Sequence, residues 1–315
     1  GILGLALVSE LAPDAERAVS FKSGDAVAAA LDRAGHDVRQ ADIGPEDLAA
    51  IEMFERWGGD VIFPVLHGPW GEGGGLQAIL DARGLPYVGS GRAAAALCMD
   101  KHATKLALSE AGIPTPAFEV VDPGRAPSLE PPVVVKPACE GSSINLSICH
   151  DRWSVQQAAA ALRQKYEKVL IERYTSGREI TVGVLEIGDS AIPGEPAEGL
   201  TALPPLEIKP ASAYYDYQAK YERGDTQYSF KLDLPQATID QLQAHARAAH
   251  AALGVAQLCR VDFIVDANGE PWLLEVNTLP GFTDHSLLPM AAVEAGLAMP
   301  ELCDRLARAA LAAAR

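Results

Sequence analysis

Arg260, Asp262, Glu275 and Asn277 are the residues whose types and spacing point most directly to chemistry. Two apolar runs, 261–265 and 271–276, flank Asp266-Ala267-Asn268-Gly269, and Asn-Gly between such runs is the strongest short-range hairpin signal a sequence carries. With Asn268 and Gly269 as a two-residue loop, Ala267 pairs with Glu270. Counting outward sets Asp262 opposite Glu275 and Arg260 opposite Asn277, and alternation brings all four to one face. Carboxylates opposed in this way, with Cβ atoms ~5 Å apart, destabilise a sheet unless a cation sits between them. A divalent metal meets that need, and Mg2+ suits two carboxylates and an amide oxygen when nucleotide phosphates supply further ligands. The competing reading gives the neutralising role to Arg260 on a solvated face. The segment Thr278-Leu279-Pro280-Gly281 favours the metal, because Gly281 lets the backbone approach a ligand just past the strand.

Other basic residues sit where an anion could be held. The strand predicted over 133–137 carries Lys136 near its end and runs into Glu140-Gly141-Ser142-Ser143, a turn of hydroxyls and backbone N–H groups that could cover a phosphate. Lys101 and Lys105 form an i, i+4 pair on a helix predicted over 100–111. Two glycine-rich stretches are weaker signals. The run from His67 to Gly75 lacks the GxxxxGK[ST] spacing. Gly89-Ser90-Gly91-Arg92-Ala93-Ala94 matches G-x-G-x-x-A, yet no acidic residue closes a second strand at the distance a dinucleotide site requires.

The chain that must position these residues has 315 residues, enough for two or three modest domains. A net charge of −16 argues against a nucleic-acid binder, which needs clustered Lys and Arg, and means that anionic small substrates require local cations. Five cysteines without a CxxC pair read as reduced, mostly buried thiols of a cytoplasmic protein. The apolar run 2–8 is too short to span a bilayer and lacks a signal-peptide pattern, so no membrane association is expected.

The pattern of elements predicts an α/β fold. Strand 2–8, helix 16–34, strand 61–66, the glycine-rich loop and helix 76–83 suggest a parallel α/β unit. Strands over 169–172 and 179–185 follow the helix 153–166, the stretch 187–205 reads as an exposed loop, and helices are expected over 235–253 and 300–315. The expected domains are 1–97, 98–186 and 187–315. The tyrosine-rich segment Tyr214-Tyr215-Asp216-Tyr217-Gln218-Ala219-Lys220-Tyr221 has neither helical nor strand periodicity and reads as an ordered lid within 211–230.

These residues resemble the D-alanine–D-alanine ligase family of the ATP-grasp superfamily. The resemblance rests on ERAVSFKSG (16–24), PVLHGPWGE (64–72), LPYVGSG (85–91), MDKHATK (99–105), VVKPACEGSS (134–143), SGREITVGV (176–184), YYDYQAKY (214–221), LLEVNTLPG (273–281) and HSLLP (285–289), in the family's order. It implies an ATP-grasp fold of three domains and ligation of two D-alanines through an acyl phosphate, with ATP as co-substrate. Two Mg2+ ions, replaceable by Mn2+, a homodimer and a role in peptidoglycan precursor synthesis are implied with it. Lys101 and Lys136 match the ATP-phosphate lysines and Lys220 the lid lysine. Glu172, Arg173 and Glu179 fall where adenine and ribose are held, and Asp262, Glu275 and Asn277 match the metal ligands. Arg260 and the Gly281 N–H match the oxyanion donors. Glu16 matches the partner of the first substrate's ammonium, with Ser142 and Tyr221 hydrogen-bonding to it and His67 nearby. Ser286 and the Leu287 backbone match contacts to the second substrate's carboxylate. Tyr221 resembles the dipeptide-forming members and not those that make the D-lactate ester.

Three segments depart from the family pattern. Ser9-Glu10-Leu11-Ala12-Pro13-Asp14-Ala15 replaces a shorter turn with two glycines, Cys139 stands where many members have arginine, and Gln257-Leu258-Cys259 replaces a glycine-containing approach to Arg260. The first bears on the first-substrate pocket, so the alternative is the same carboxylate–amine chemistry on another small amino acid. A non-catalytic relative would lack metal or phosphate ligands, and none is missing.

Overall fold

The computed structural model of the chain describes residues 1–9, 14–121, 127–141, 145–188, 199–209 and 226–314, with backbone alone for 9 and 14–16. Three sheets organise them. The first is parallel, in the order β2-β1-β3, from β1 (Leu3–Ser9), β2 (Asp37–Ile43) and β3 (Val61–Pro64). Leu5 to Val8 are all fully buried, as expected where helices cover both faces of a parallel sheet. Leu5 and Leu7 pack with Ile51, Phe54 and Leu80, whereas Ala6 and Val8 face Val27, Leu31 and the closing helix Met299–Ala313 through Leu302 and Leu306. The edge strand β2 and the helix Ala49–Trp57 are additions to the sequence expectation. Helix Ala49–Trp57 ends where Gly58 takes a left-handed conformation, the Gly58 N–H donating to the Glu55 carbonyl and the Gly59 N–H to the Phe54 carbonyl, both at 3.1 Å.

The glycine-rich stretch after β3 folds as the short helix Pro69–Glu72 followed by helix Gly75–Arg83. A Cβ on Gly71 would lie 2.6 Å from Leu66 Cβ, and one on Gly73 would lie 2.3 Å from the Pro69 carbonyl oxygen. These glycines therefore serve close backbone packing. Gly89 and Ser90 also act structurally: the Gly89 N–H donates to Gln257 Oε1 at 2.9 Å, and Ser90 Oγ accepts from the Ala256 N–H at 3.1 Å. Gln257 holds a left-handed φ of 64°, so the departure from glycine there keeps the backbone bend and adds a tie to the first sheet's loops.

The second sheet is antiparallel, in the order β4-β7-β5-β6, from β4 (Phe118–Val120), β5 (Val133–Pro137), β6 (Ser147–Cys149) and β7 (Val169–Arg173). Helix Arg152–Arg163 covers one face and starts at a capping box, in which the Ser154 N–H donates to Asp151 Oδ1 at 2.7 Å. The third sheet runs β11-β10-β8-β12-β13 with β9 on β8, from β8 (Arg178–Leu185), β9 (Thr201–Ala202), β10 (Leu206–Lys209), β11 (Gln227–Ser229), β12 (Leu258–Val265) and β13 (Pro271–Asn277). β8 precedes residue 187, and all its ladder bonds lie in this third sheet. Thr201, Ala202 and Leu203 are buried, which corrects the exposed-loop reading of 187–205 for its described end. Helix Gln236–Ala252 packs on the sheet through Leu242, Ala246 and Ala249.

The central hairpin brings Asp262 opposite Glu275 and Arg260 opposite Asn277 by an unexpected route. Its loop has three residues, not two: the Asp266 N–H donates to the Glu270 carbonyl and the Gly269 N–H to the Asp266 carbonyl, both at 3.0 Å, with Gly269 at φ 83°. That loop pairs Val265 with Pro271 and Phe263 with Leu273, one residue away from the two-residue register. A bulge between Asp262 and Phe263 leaves Leu274 without an opposite residue on β12 and restores the offset at the acids. Bulges re-aim side chains beside active sites, and this one turns the acid pair to a common face. Among the described residues no helix is long and apolar enough to cross a membrane.

Candidate active site

A cavity of about 480 Å³ opens where the three sheets meet. His67 and Glu72 line it from the first unit, and Lys101 enters from the helix Lys101–Glu110. Arg260, Glu275 and Asn277 form the hairpin wall, and Gly281, Ser286 and Leu287 close it from the loop beyond β13. Asp100 caps the lysine-bearing helix by accepting from the His102 and Ala103 N–H groups at 3.0 and 3.2 Å. Lys168 Nζ lies 2.6 Å from the other Asp100 oxygen.

Asp262 and Glu275 each have a cation. Arg260 donates from Nε and Nη2 to Asp262 at 2.9 and 2.8 Å, and Thr181 Oγ1 donates to the same carboxylate at 2.6 Å. Lys101 Nζ lies 3.1 Å from Glu275 Oε2 and donates to the Glu140 carbonyl at 2.6 Å. Burial disfavours the Lys101 charge, but Glu275, then Glu172 and Glu72, more than offset it and hold its pKa above the usual lysine value. The neutralising role assigned to Arg260 alone in the competing reading is thus divided between Arg260 and Lys101.

Behind this wall lies a buried cluster of two lysines and one glutamate. Glu172, near the end of β7, has Lys136 Nζ 2.9 Å from Oε1 and Lys105 Nζ 2.5 Å from Oε2. Burial pushes the Glu172 carboxyl up, yet Lys105 and Lys136 overcome it and bring the pKa to about 2. Burial draws Lys105 below the lysine range, with Lys136 and Lys101 adding to the fall and Glu172 opposing it. A depressed carboxyl pKa stabilises the fold fully above the ordinary value near 4.5 and loses that contribution as pH falls toward 2. The Glu172 shift corresponds to about 3 kcal/mol, so denaturant titrations should show stability falling over this window. Glu172→Gln should flatten that slope and, by leaving two buried ammonium groups unpaired, cost about 3 kcal/mol at neutral pH. An unchanged acid limb in the variant would contradict the assignment.

The loop after β13 is held at several points. The Leu279 N–H donates to Asn277 Oδ1 at 2.9 Å, which fixes the amide's orientation, and the Phe282 N–H donates to Ser23 Oγ at 3.2 Å. Phe282 also meets Phe63 edge-on, with ring centroids 5.2 Å apart. Ser286 precedes helix Leu287–Glu294 without capping it through its side chain; its Oγ accepts from the Thr283 N–H at 3.0 Å and lies 2.8 Å from Thr283 Oγ1. Leu287 is the first helical residue, so its N–H belongs to a helix end that favours an anion. His67 Nδ1 lies 3.4 Å from Glu72 Oε1, and the Gly68 N–H donates to the other oxygen at 3.1 Å.

The structure thus brings His67, Lys101, Arg260, Glu275, Asn277, Gly281, Ser286 and Leu287 to one cavity. Asp262 lies under Arg260, and Lys136 and Glu172 form the adjoining cluster. Arg173 ends β7 and is exposed, while Glu179 is half-buried on β8 opposite Ile264. Ser142, Lys220 and Tyr221, with the lid expected over 211–230, lie largely or wholly outside the described residues, as does the Glu16 side chain. Sequence reasoning missed Glu72, Thr181 and Tyr228 as site neighbours; Glu72 closes the motif PVLHGPWGE, whereas Thr181 and Tyr228 carry no local signal. Cys98 is on the cavity wall, but burial pushes its thiol up to about 12 and so keeps it protonated. The described cysteines are free; Cys139 is exposed and the other four are buried.

Among the described residues no group of three His, Cys, Asp or Glu side chains could hold a metal. Asp262 and Glu275 supply two carboxylates and Asn277 an amide oxygen, a hard-oxygen set that fits Mg2+ shared with phosphates.

Comparisons with known proteins bear on the family and the fold. The family model described as D-ala D-ala ligase C-terminus matches residues 108–308, and the one described as D-ala D-ala ligase N-terminus matches residues 49–90. A D-alanine–D-alanine ligase of Anaeromyxobacter sp. (strain Fw109-5) is 41% identical over 298 residues, covering 92% of this chain and 92% of its own length. One from Bordetella avium (strain 197N) is 43% identical over 296 residues, covering 92% of this chain and 89% of its own. The crystal structure of the Bacillus anthracis D-alanine–D-alanine ligase complexed with ATP superposes with a TM-score of 0.81 at 28% identity, covering 100% of this chain and 98% of that one. With the N- and C-terminal family models matched in order, relatives above 40% identity over 92% of the chain and a fold superposing at a TM-score of 0.81, this chain belongs to the D-alanine–D-alanine ligase family and has its ATP-grasp fold.

Proposed function

We infer that this protein joins two D-alanines to D-alanyl-D-alanine in an ATP- and Mg2+-dependent reaction through an acyl phosphate. The observation that carries the reading is a single cavity wall. Arg260, Glu275 and Asn277 stand beside Lys101 on it, and Ser286 and Leu287 line the same space. In the first step a carboxylate oxygen of one D-alanine bonds to the γ-phosphorus of ATP, and the bond to ADP breaks. In the second, the free amine of the other D-alanine attacks the acyl carbon, loses a proton, and the carbon–oxygen bond to phosphate breaks.

Positioning and charge stabilisation are the protein's share of such chemistry. Lys101 and Lys136 bind phosphate oxygens, Glu172, Arg173 and Glu179 hold the nucleoside, and Lys220 approaches the transferred phosphoryl. Arg260 and the Gly281 N–H stabilise the tetrahedral oxyanion. Glu16 pairs with the first ammonium, with Ser142, Tyr221 and His67 about it, and Ser286 with the Leu287 N–H holds the second carboxylate. Asp262, Glu275 and Asn277 hold Mg2+, which when bound neutralises phosphate charge. The reading carries with it a homodimer and a cytoplasmic place in peptidoglycan precursor synthesis.

Its test is phosphate release from Mg-ATP with D-alanine, L-alanine, D-serine or D-lactate, with product masses. Release with D-alanine and the D-alanyl-D-alanine mass are expected; release only with another amino acid would replace D-alanine as the substrate. A second check concerns Gly281, where a Cβ would lie 2.9 Å from Ser286 Oγ. Gly281→Ala should displace that hydroxyl and raise KM for the second amino acid roughly tenfold, the loss of about one hydrogen bond to a charged group. KM for ATP should stay within a factor of two or so. Equal increases in both constants would contradict the Ser286 role.

A further inference from the structure

Lys105 is fully buried, and its ammonium is fixed from two sides. It lies 2.5 Å from Glu172 Oε2 and donates to Thr115 Oγ1 at 2.6 Å, which in turn donates to the Leu273 carbonyl of β13 at 2.8 Å. Leu273 immediately precedes the bulge that presents Glu275, so this chain of contacts joins the second sheet to the metal-side hairpin. Lys136 is held differently. It stands near the end of β5, beside the cavity's Glu140-Gly141 turn, and among the described residues its ammonium pairs with Glu172 alone, at 2.9 Å. Glu172 therefore has two cationic partners, one locked into the fold and one tethered only by the carboxylate itself.

We propose that Lys105 is the permanent counter-ion of Glu172, a positioning residue that lets Lys136 leave that carboxylate for a nucleotide phosphate without stranding a buried charge. The proposal rests on the ligase reading, in which Lys136 meets phosphate and Glu172 the nucleoside. Removing the only partner of a buried ion leaves an uncompensated charge and is strongly destabilising, whereas Glu172 keeps Lys105 when Lys136 departs. Without Lys105, phosphate binding would have to separate the only ion pair Glu172 retains or protonate the acid. Glu172 is faced by Lys105 from its helix, Lys136 from β5 and, at longer range, Lys101; its neighbour on β4 is the Phe118 ring, which the Lys105 ammonium overlies at 5.7 Å. Its carboxyl stays ionised down to about pH 2 because both nearer lysines act on it.

The test is binding of the non-hydrolysable analogue AMP-PNP with Mg2+, and of adenosine, by the wild-type chain and by Lys105→Met and Lys105→Gln, measured calorimetrically from pH 6 to pH 8.5. At pH 8 the two variants should bind AMP-PNP at least tenfold more weakly than wild type, with the deficit shrinking at least threefold at pH 6 as Glu172 takes up a proton. Adenosine, which does not draw on Lys136, should bind within threefold of wild type. Equal weakening of adenosine and AMP-PNP at every pH, or no weakening of AMP-PNP, overturns the proposal and leaves the ligase reading intact. No binding of AMP-PNP by the wild type overturns both. If neither variant folds, a crystal structure of the wild type with Mg2+ and AMP-PNP decides: Lys105 must remain within hydrogen-bond reach of Glu172 while Lys136 has left it, and any other pairing overturns the proposal.

Discussion

Glu275→Ala is expected to lower turnover by about 10³-fold or more, because losing a metal ligand removes several kcal/mol of stabilisation from the phosphoryl-transfer transition state. The chain should remain folded. Glu275 is partly exposed, belongs to no apolar cluster, and its partner Lys101 keeps the Glu140 carbonyl as an acceptor at 2.6 Å. A far-ultraviolet spectrum and melting temperature close to wild type, with phosphate release at background, would meet the expectation. Turnover within tenfold of wild type in a folded variant would remove Glu275 from the metal site. The opposed acids would then be a sheet-face ion network paired to Arg260 and Lys101.

Arg260 should show two losses that different substitutions separate. Arg260→Met leaves Asp262, only 7% exposed, with the Thr181 hydroxyl as its side-chain donor among the described residues, and should cost about 3 kcal/mol of stability together with about 10²- to 10³-fold in kcat. Arg260→Lys returns a positive charge near Asp262 and should recover most of the stability. It should not recover kcat, because a lysine cannot hold a carboxylate through two parallel bonds while presenting a further donor to an oxyanion. Denaturant unfolding and steady-state kinetics on both variants check this; full recovery of kcat by lysine would show that charge alone suffices.

The sequence made the chemistry more legible than the path of the chain. The Asp262–Glu275 and Arg260–Asn277 pairs were readable because the hairpin signal and strand alternation are local. The agreement nevertheless came from two departures that compensate: a three-residue loop moved the register by one, and the bulge at Leu274 moved it back. Neither is encoded by hydrophobic alternation, since a bulge is set by the packing on both sides of the strand. β2 escaped notice because it is an edge strand of mixed polarity, whose exposed and half-buried residues break the apolar pattern. β9 is two residues long and depends wholly on its partner β8.

Long-range ion pairs were the least legible part. Lys105 was visible as an i, i+4 neighbour of Lys101, a spacing that ordinarily signals a solvated helix face. Its complete burial against Glu172 follows from how the helix Lys101–Glu110 seats between the second and third sheets, which no window of sequence contains. Gln257 looked like a departure of little consequence, yet its side chain accepts the Gly89 N–H 168 residues away. The glycine-rich stretch after β3 owes its glycines to close packing against Leu66 and Pro69, while its His67 and Glu72 reach the cavity.

The most direct test of acyl-phosphate ligation is an oxygen-transfer measurement with D-alanine labelled with 18O in its carboxylate, incubated with Mg-ATP and the purified protein. The mechanism requires one labelled oxygen in the phosphate released for each D-alanyl-D-alanine formed, because the carboxylate oxygen that attacks ATP departs with the phosphoryl group. Unlabelled phosphate accompanying dipeptide, or ATP hydrolysis without dipeptide, would contradict it.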